Sequence, residues 1–135
     1  MSITQKNLEA AFAGESQAFT KYMYFAKLAR AEGFEDVAEH FEHTASQELL
    51  HAHGHLELLI GKPGVKQSLE MAIEGETYEF TTMYPDFKRA AEIEGNARAV
   101  IEAKNMTNPT PNKLKNKVDI PLFILSFILG FANID

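Results

Sequence analysis

The sequence predicts an all-α protein, a four-helix bundle whose fourth helix is altered or replaced. Three observations carry that prediction. Long segments of helical period lie between glycine and proline breakers, an internal repeat doubles a helix hairpin, and acidic residues recur on the apolar stripes of the helices.

Ser2 and Gln5 stand at capping-box spacing and open the first helix. Its apolar stripe runs Leu8, Ala11, Ala18, Phe25 and Ala29, and Gly33 stops it. The second helix begins with Glu35-Asp36, whose negative charge suits a helix N-terminus. It carries Val37, Phe41, Thr44, Ala52 and Leu59 inward and ends at Gly61, with Pro63 just beyond. A third helix is expected from near Ser68 to Gly95, with Leu69, Ala72, Phe80 and Met83 inward. Pro85 lies inside it and predicts a kink or a local bulge. Asn96 is placed to cap a short helix over Ala97 to Lys104. Helices of about 40 Å, at 1.5 Å per residue, joined by short turns make a bundle.

The repeat is visible residue by residue. Ala13-Gly14-Glu15-Ser16 and Tyr22-Met23-Tyr24-Phe25 are echoed by Glu74-Gly75-Glu76-Thr77 and Met83-Tyr84-Pro85, and Glu32-Gly33 by Glu94-Gly95. The offset grows from 61 to 62 along the repeat, so the second copy holds one extra residue near Pro85. The organisation expected is a helical domain over 1–104 and a divergent, proline-containing linker with an apolar tail over 105–135.

The 135 residues make one domain able to bury a core without disulfides. Cysteine is absent from the chain, which removes disulfides, zinc ribbons and iron–sulfur clusters from consideration. A net charge of −6 argues against nucleic acid as a partner. The N-terminus shows neither a basic nor an apolar leader, so a cytoplasmic location is expected.

Polar residues at core positions are the informative anomaly. A 3–4 spacing puts Glu15 and Tyr22 on the seam of the first helix, Glu48, His51 and His55 on that of the second, and Glu76 and Glu79 on that of the third. Four unpartnered carboxylates in a core would each have to take up a proton or find a cation. Depth agrees with face, since Glu15 and His51 each lie roughly 27 Å along their helices from the turn at Gly33. Hard oxygen ligands with one imidazole suit iron or manganese. Di-iron bundles use one Glu from each of two helices and a Glu-x-x-His from each of the other two, and Glu48-Leu49-Leu50-His51 is one such motif. A lone Glu on a stripe is ordinarily a snorkelling side chain, and Glu-x-x-His alone is common by chance. The coincidence of both repeats with the motif at one depth makes the metal reading the stronger. His40, His43 and His53 fall off the seam and are expected in solvent; His55 is expected in the core or beside the ligands.

Ala13-Gly14-Glu15-Ser16, Glu48-Leu49-Leu50-His51-Ala52-His53, and Glu74-Gly75-Glu76-Thr77 with Glu79 and Met83-Tyr84-Pro85 resemble the rubrerythrin family over about residues 4 to 98. The resemblance implies a ferritin-like bundle with a di-iron site, manganese or zinc being substitutes, that reduces hydrogen peroxide to water. It implies Glu15 and Glu76 as terminal ligands, Glu48 as a bridge, and Glu79 and His51 as alternative ligands of one iron. It further implies that Tyr22 and Tyr84 hydrogen-bond ligand carboxylates. No rubredoxin-like Cys-x-x-Cys is present, so an external electron donor such as a rubredoxin is expected. The alternatives are an iron-sequestering bundle with little turnover and a helical module without metal.

The repeat places the second Glu-x-x-His at 109–110 and 112–113, where Pro109-Thr110 and Asn112-Lys113 stand instead. Glu102 is nearest, but it lies about 11 Å short of the required depth and is not expected to replace the ligand. The apolar run Ile120–Ala132 is expected to fill the side left uncovered; as a membrane anchor it is too short, and it contains Pro121 and Gly130. Residues 61 to 67 reach at most about 24 Å, too little to cross the length of a bundle. A homodimer that exchanges hairpins between chains removes that difficulty.

Overall fold

The computed structural model describes residues 1–107, which are all-α: α1 (Ile3–Ala31), α2 (Glu35–Ile60), α3 (Val65–Tyr78), a π-helical turn (Glu79–Met83), α4 (Tyr84–Ile93) and α5 (Ala97–Thr107). The expected apolar tail and proline-containing linker from residue 108 onward lie outside the described residues. The chain divides into two compact units, Met1–Lys62 and a second that starts at Pro63.

The first unit is an antiparallel hairpin of α1 and α2. Ser2 Oγ accepts the Gln5 amide at 3.1 Å, as the capping spacing predicts. At the other end Gly33 has φ +86°, its amide donates to the Arg30 carbonyl at 3.1 Å, and the Phe34 amide donates to the Ala29 carbonyl at 2.9 Å. That is a Schellman turn, which needs the left-handed conformation glycine adopts without penalty. The second unit repeats it: Gly95 has φ +70°, its amide donates to Glu92 at 3.2 Å, and Asn96 donates to Ala91 at 2.9 Å. The repeated Glu-Gly pair in the sequence is thus a repeated helix stop. Asn96 Oδ1 then caps α5 by accepting the Ala99 amide at 3.2 Å, and α5 returns against α4.

The interior differs from the expected stripes. In the hairpin only Ala26, Ala38, Ala45 and Ala52 are buried, and the three on α2 are spaced by seven residues. Methyl groups along one line let the two helices approach closely. The larger stripe residues face away from that line: Val37 is 46% exposed and Phe25 40%. They belong to a second face of the hairpin, the one that bears the polar anomaly. Among the described residues no large side chain is fully buried.

Two helix boundaries are corrected. The third helix starts at Val65, not near Ser68, whose hydroxyl bonds back to the Gly64 carbonyl at 3.0 Å within the first turn. The connection between units is therefore Gly61–Gly64, shorter than the sequence suggested. The short fifth helix runs past Lys104 to Thr107. The bulge expected near Pro85 is the π turn, where the Tyr84 amide reaches back five residues to the Glu79 carbonyl. Proline has no amide hydrogen for an α-helical bond, and the extra residue of the second repeat is taken up at the same place.

An exposed ion cluster ties the hairpin turn. Arg30 Nη1 and Nη2 donate to the two oxygens of Glu42 at 2.7 and 3.1 Å, and Arg30 Nε donates to Glu35 at 2.9 Å. The hydrogen bonds from Arg30 hold the Glu42 carboxyl below its usual range, while the carboxylates raise the guanidinium. A carboxyl lowered in the folded state adds stability above its unfolded pKa and loses it as pH falls through the folded value. Acid titration of Glu42→Gln should therefore show a shallower loss of stability below about pH 4.5 than the parent chain, read by circular dichroism.

Candidate metal centre

Halfway along the hairpin, Glu15 on α1 and Glu48 and His51 on α2 offer ligand atoms that all lie within 4.8 Å of one another. Three features of the sequence produce this. The alanine line brings the helices close, the three-residue separation of Glu48 and His51 puts both on one face, and the Schellman turn sets the two helices in register. His51 Nδ1 lies 3.1 Å from Glu48 Oε2, a hydrogen bond formed when Nδ1 carries the proton. A cation would take the place of that proton between the same two atoms. The Glu48 side chain is 19% exposed and that of His51 is 58% exposed. The donor set, two carboxylates and one imidazole with no thiolate, fits iron or manganese and accommodates zinc.

Apolar rings flank this layer toward the hairpin turn. Tyr22 packs against Phe25 and Phe41 with ring centroids 6.5 and 6.0 Å away, and Phe25 meets Phe41 edge-on at 5.6 Å. Tyr22 is half-buried, and its hydroxyl makes no hydrogen bond among the described residues. His40, His43 and His53 are exposed as expected, and His55 is half-buried.

Glu76 and Glu79 lie in the second unit, both half-buried, and the described residues gather no metal-binding group around them. Glu79 is the first residue of the π turn. Tyr84 follows that turn and packs edge-on against Phe87 at 6.1 Å. Burial pushes the Tyr84 phenol above its usual value, and the charges of Glu79, Glu102 and Glu76 push the same way. A raised phenol keeps its proton at neutral pH and stays a hydrogen-bond donor.

Glu102, which is not expected to replace the missing ligand, adds its charge to those of Glu76 and Glu79 on the Tyr84 phenol. The signal available in the sequence was the short turn at Gly95, which sends α5 back along α4. No helix among the described residues is long and apolar enough to cross a membrane.

The rubrerythrin family model matches residues 6–106. Nigerythrin of Nitratidesulfovibrio vulgaris is 40% identical over 111 residues, covering 72% of this chain and 55% of the relative. Rubrerythrin of Porphyromonas gingivalis is 41% identical over 107 residues, covering 70% of this chain and 54% of the relative. A solved structure described as the fully reduced state of nigerythrin (all ferrous) aligns over 100% of this chain and 69% of its own, with 31% identity and a TM-score of 0.43. A score that low carries no weight for the arrangement of the helices. The chain spans about half the length of the curated relatives it matches. The motifs around Glu15, Glu48, His51 and Glu76 and the match across residues 6–106 together make this chain a member of the rubrerythrin family.

Proposed function

We propose that the chain is a rubrerythrin-like non-haem di-iron peroxidase that reduces hydrogen peroxide in the cytoplasm as a defence against oxidative stress. The observation that carries the proposal is the convergence of Glu15, Glu48 and His51 within 4.8 Å. Glu76 and Glu79 are the further ligands that the family resemblance implies, and a homodimer is the form proposed. The reaction consumes two electrons and two protons per peroxide and yields two waters. An iron pair supplies the electrons when bound, and an external donor such as a rubredoxin restores them.

The protein's own groups have distinct tasks. The carboxylates of Glu15 and Glu48 offset the charge of the metal. Before metal arrives, the 3.1 Å contact with Glu48 holds the His51 ring with Nδ1 toward the centre. Tyr84, kept protonated by burial and by Glu79, Glu102 and Glu76, is a hydrogen-bond donor to a carboxylate or to an oxygen of the substrate.

Mixing an anaerobic ferrous sample with peroxide in a stopped-flow spectrometer should show rapid oxidation of the iron. If the iron stays ferrous, the enzyme reading fails. An iron-sequestering bundle is the second reading, favoured by Pro109-Thr110 and Asn112-Lys113 where a second Glu-x-x-His belongs. That protein would bind iron and turn over little peroxide.

A further inference from the structure

The two helices of the hairpin differ sharply in charge. α1 carries Lys6, Lys21, Lys27 and Arg30 against Glu9 and Glu15. α2 carries Glu35, Asp36, Glu39, Glu42, Glu48 and Glu57 and has neither lysine nor arginine. In a chain whose net charge is −6, the outward side of α1 is therefore a basic exception.

That side is also built for contact. Lys6, Gln17, Lys21, Tyr24 and Leu28 are separated by 11, 4, 3 and 4 residues, which sets them on one stripe of the helix, with Lys27 at its border. All are exposed, Tyr24 by 56% and Leu28 by 43%. Arg30 and Lys62 are paired with glutamates, whereas Lys6, Lys21 and Lys27 form no ion pair among the described residues. An exposed tyrosine among unpaired lysines combines the side chain that most often anchors an interface with charges free to attract an acidic surface.

The stripe lies close to the metal-binding triad. Tyr22 and Tyr24 stand about 200° apart around the helix, so Tyr22 meets Phe41 on the inner side while Tyr24 faces outward. Glu15 is also on the inner side, beside Glu48 and His51. The thickness of one helix, about 10–12 Å with its side chains, separates the stripe from the centre.

We infer that the stripe of α1 around Lys21, Tyr24 and Lys27 is the docking surface for an acidic one-electron carrier protein, which delivers its electrons to the metal centre across α1. This rests on the reading of the chain as a peroxidase supplied by an external donor. Each carrier gives up one electron, so two carriers are oxidised for each peroxide reduced. Attraction at α1 and repulsion at α2 turn an acidic carrier toward the one helix. Tyr24 and Leu28 then supply the apolar contact. Electron-transfer encounters bury less than about 1,200 Å² in total, so a single helix face is large enough.

The test titrates a fluorescently labelled acidic rubredoxin against the full metal-free chain and reads binding by anisotropy, without turnover. Affinity should fall as salt is raised. K21E/K27E should weaken binding about tenfold and flatten the salt dependence, and Y24A should weaken it about fivefold with the salt dependence kept. E39K, on the exposed surface of α2, should change affinity less than about twofold. In iron-loaded protein, K21E/K27E should slow reduction of the ferric centre by rubredoxin about tenfold and leave oxidation of the ferrous form by peroxide unchanged. No rubredoxin binding, binding that neither salt nor K21E/K27E alters, or lysine-dependent binding of phosphatidylglycerol vesicles in its place would overturn the docking surface and leave the proposed function standing. Lysine-dependent rubredoxin binding by a chain whose ferrous iron peroxide does not oxidise would uphold the surface and overturn the peroxidase reading.

Discussion

Replacing Glu48 with Gln should abolish stable iron loading while leaving the metal-free protein folded and slightly more stable. The carboxylate is one of three groups with donor atoms within 4.8 Å and is the only hydrogen-bond partner of His51 among the described residues. Gln removes the charge and weakens the contact that orients the imidazole. Loss of a partner that merely orients a metal ligand typically costs 10–100-fold in affinity, so loss of the ligand itself should exceed about 100-fold. Without metal the sign reverses, because Glu15 and Glu48 are like charges in close proximity. Thermal unfolding in chelator should give a midpoint equal to or above that of the parent chain, and iron titration should give almost no saturable binding. A variant that binds iron normally would show that the triad is an ordinary acidic surface.

Ala45→Leu should have the largest effect on the fold. Ala45 has no exposed surface and lies on the alanine line one helical turn before Glu48. A leucine there cannot be accommodated unless α1 and α2 move apart, and overpacking of this kind costs about 1–3 kcal/mol. Spreading the helices also separates Glu15 from Glu48, so metal affinity should fall together with stability. Ser46→Leu, on the exposed neighbouring position, is the control and should change stability by less than about 0.5 kcal/mol. Urea unfolding of the two variants, followed by circular dichroism, distinguishes the seam from the surface. Equal midpoints for both would show that the hairpin tolerates volume along this line.

Much of the hairpin was legible from local chemistry. Ser2, Gly33, Gly61 and Gly95 mark helix ends because capping and left-handed backbone depend on a few neighbouring residues. Glu15, Glu48 and His51 were legible as a group because periodicity gives the face and counting from Gly33 gives the depth. The buried line was not legible in the same way. Alanine is apolar enough to suit either the hairpin contact or the outer stripe, so periodicity found the broad face with Phe25 and Val37 and missed that Ala26, Ala38 and Ala45 are the closest-packed positions. The start of the third helix was misplaced for a related reason. Serine at position 68 is as good a cap as it is a first-turn residue, and nothing local says that Gly64 precedes a helix.

Tyr22 follows Glu15 by seven residues and Tyr84 follows Glu76 by eight. At about 100° per residue, seven steps along a straight α-helix fall roughly 20° short of two full turns, and eight overshoot by roughly 80°. An inserted residue would therefore swing the second tyrosine a quarter-turn away from its glutamate. The wider turn over Glu79–Met83 absorbs that rotation and returns Tyr84 to the phase its counterpart holds. The charge of Glu76 on the Tyr84 phenol agrees with that placement. Deleting one residue from the turn should restore the seven-residue α-helical spacing and leave Tyr84 in the phase it already holds.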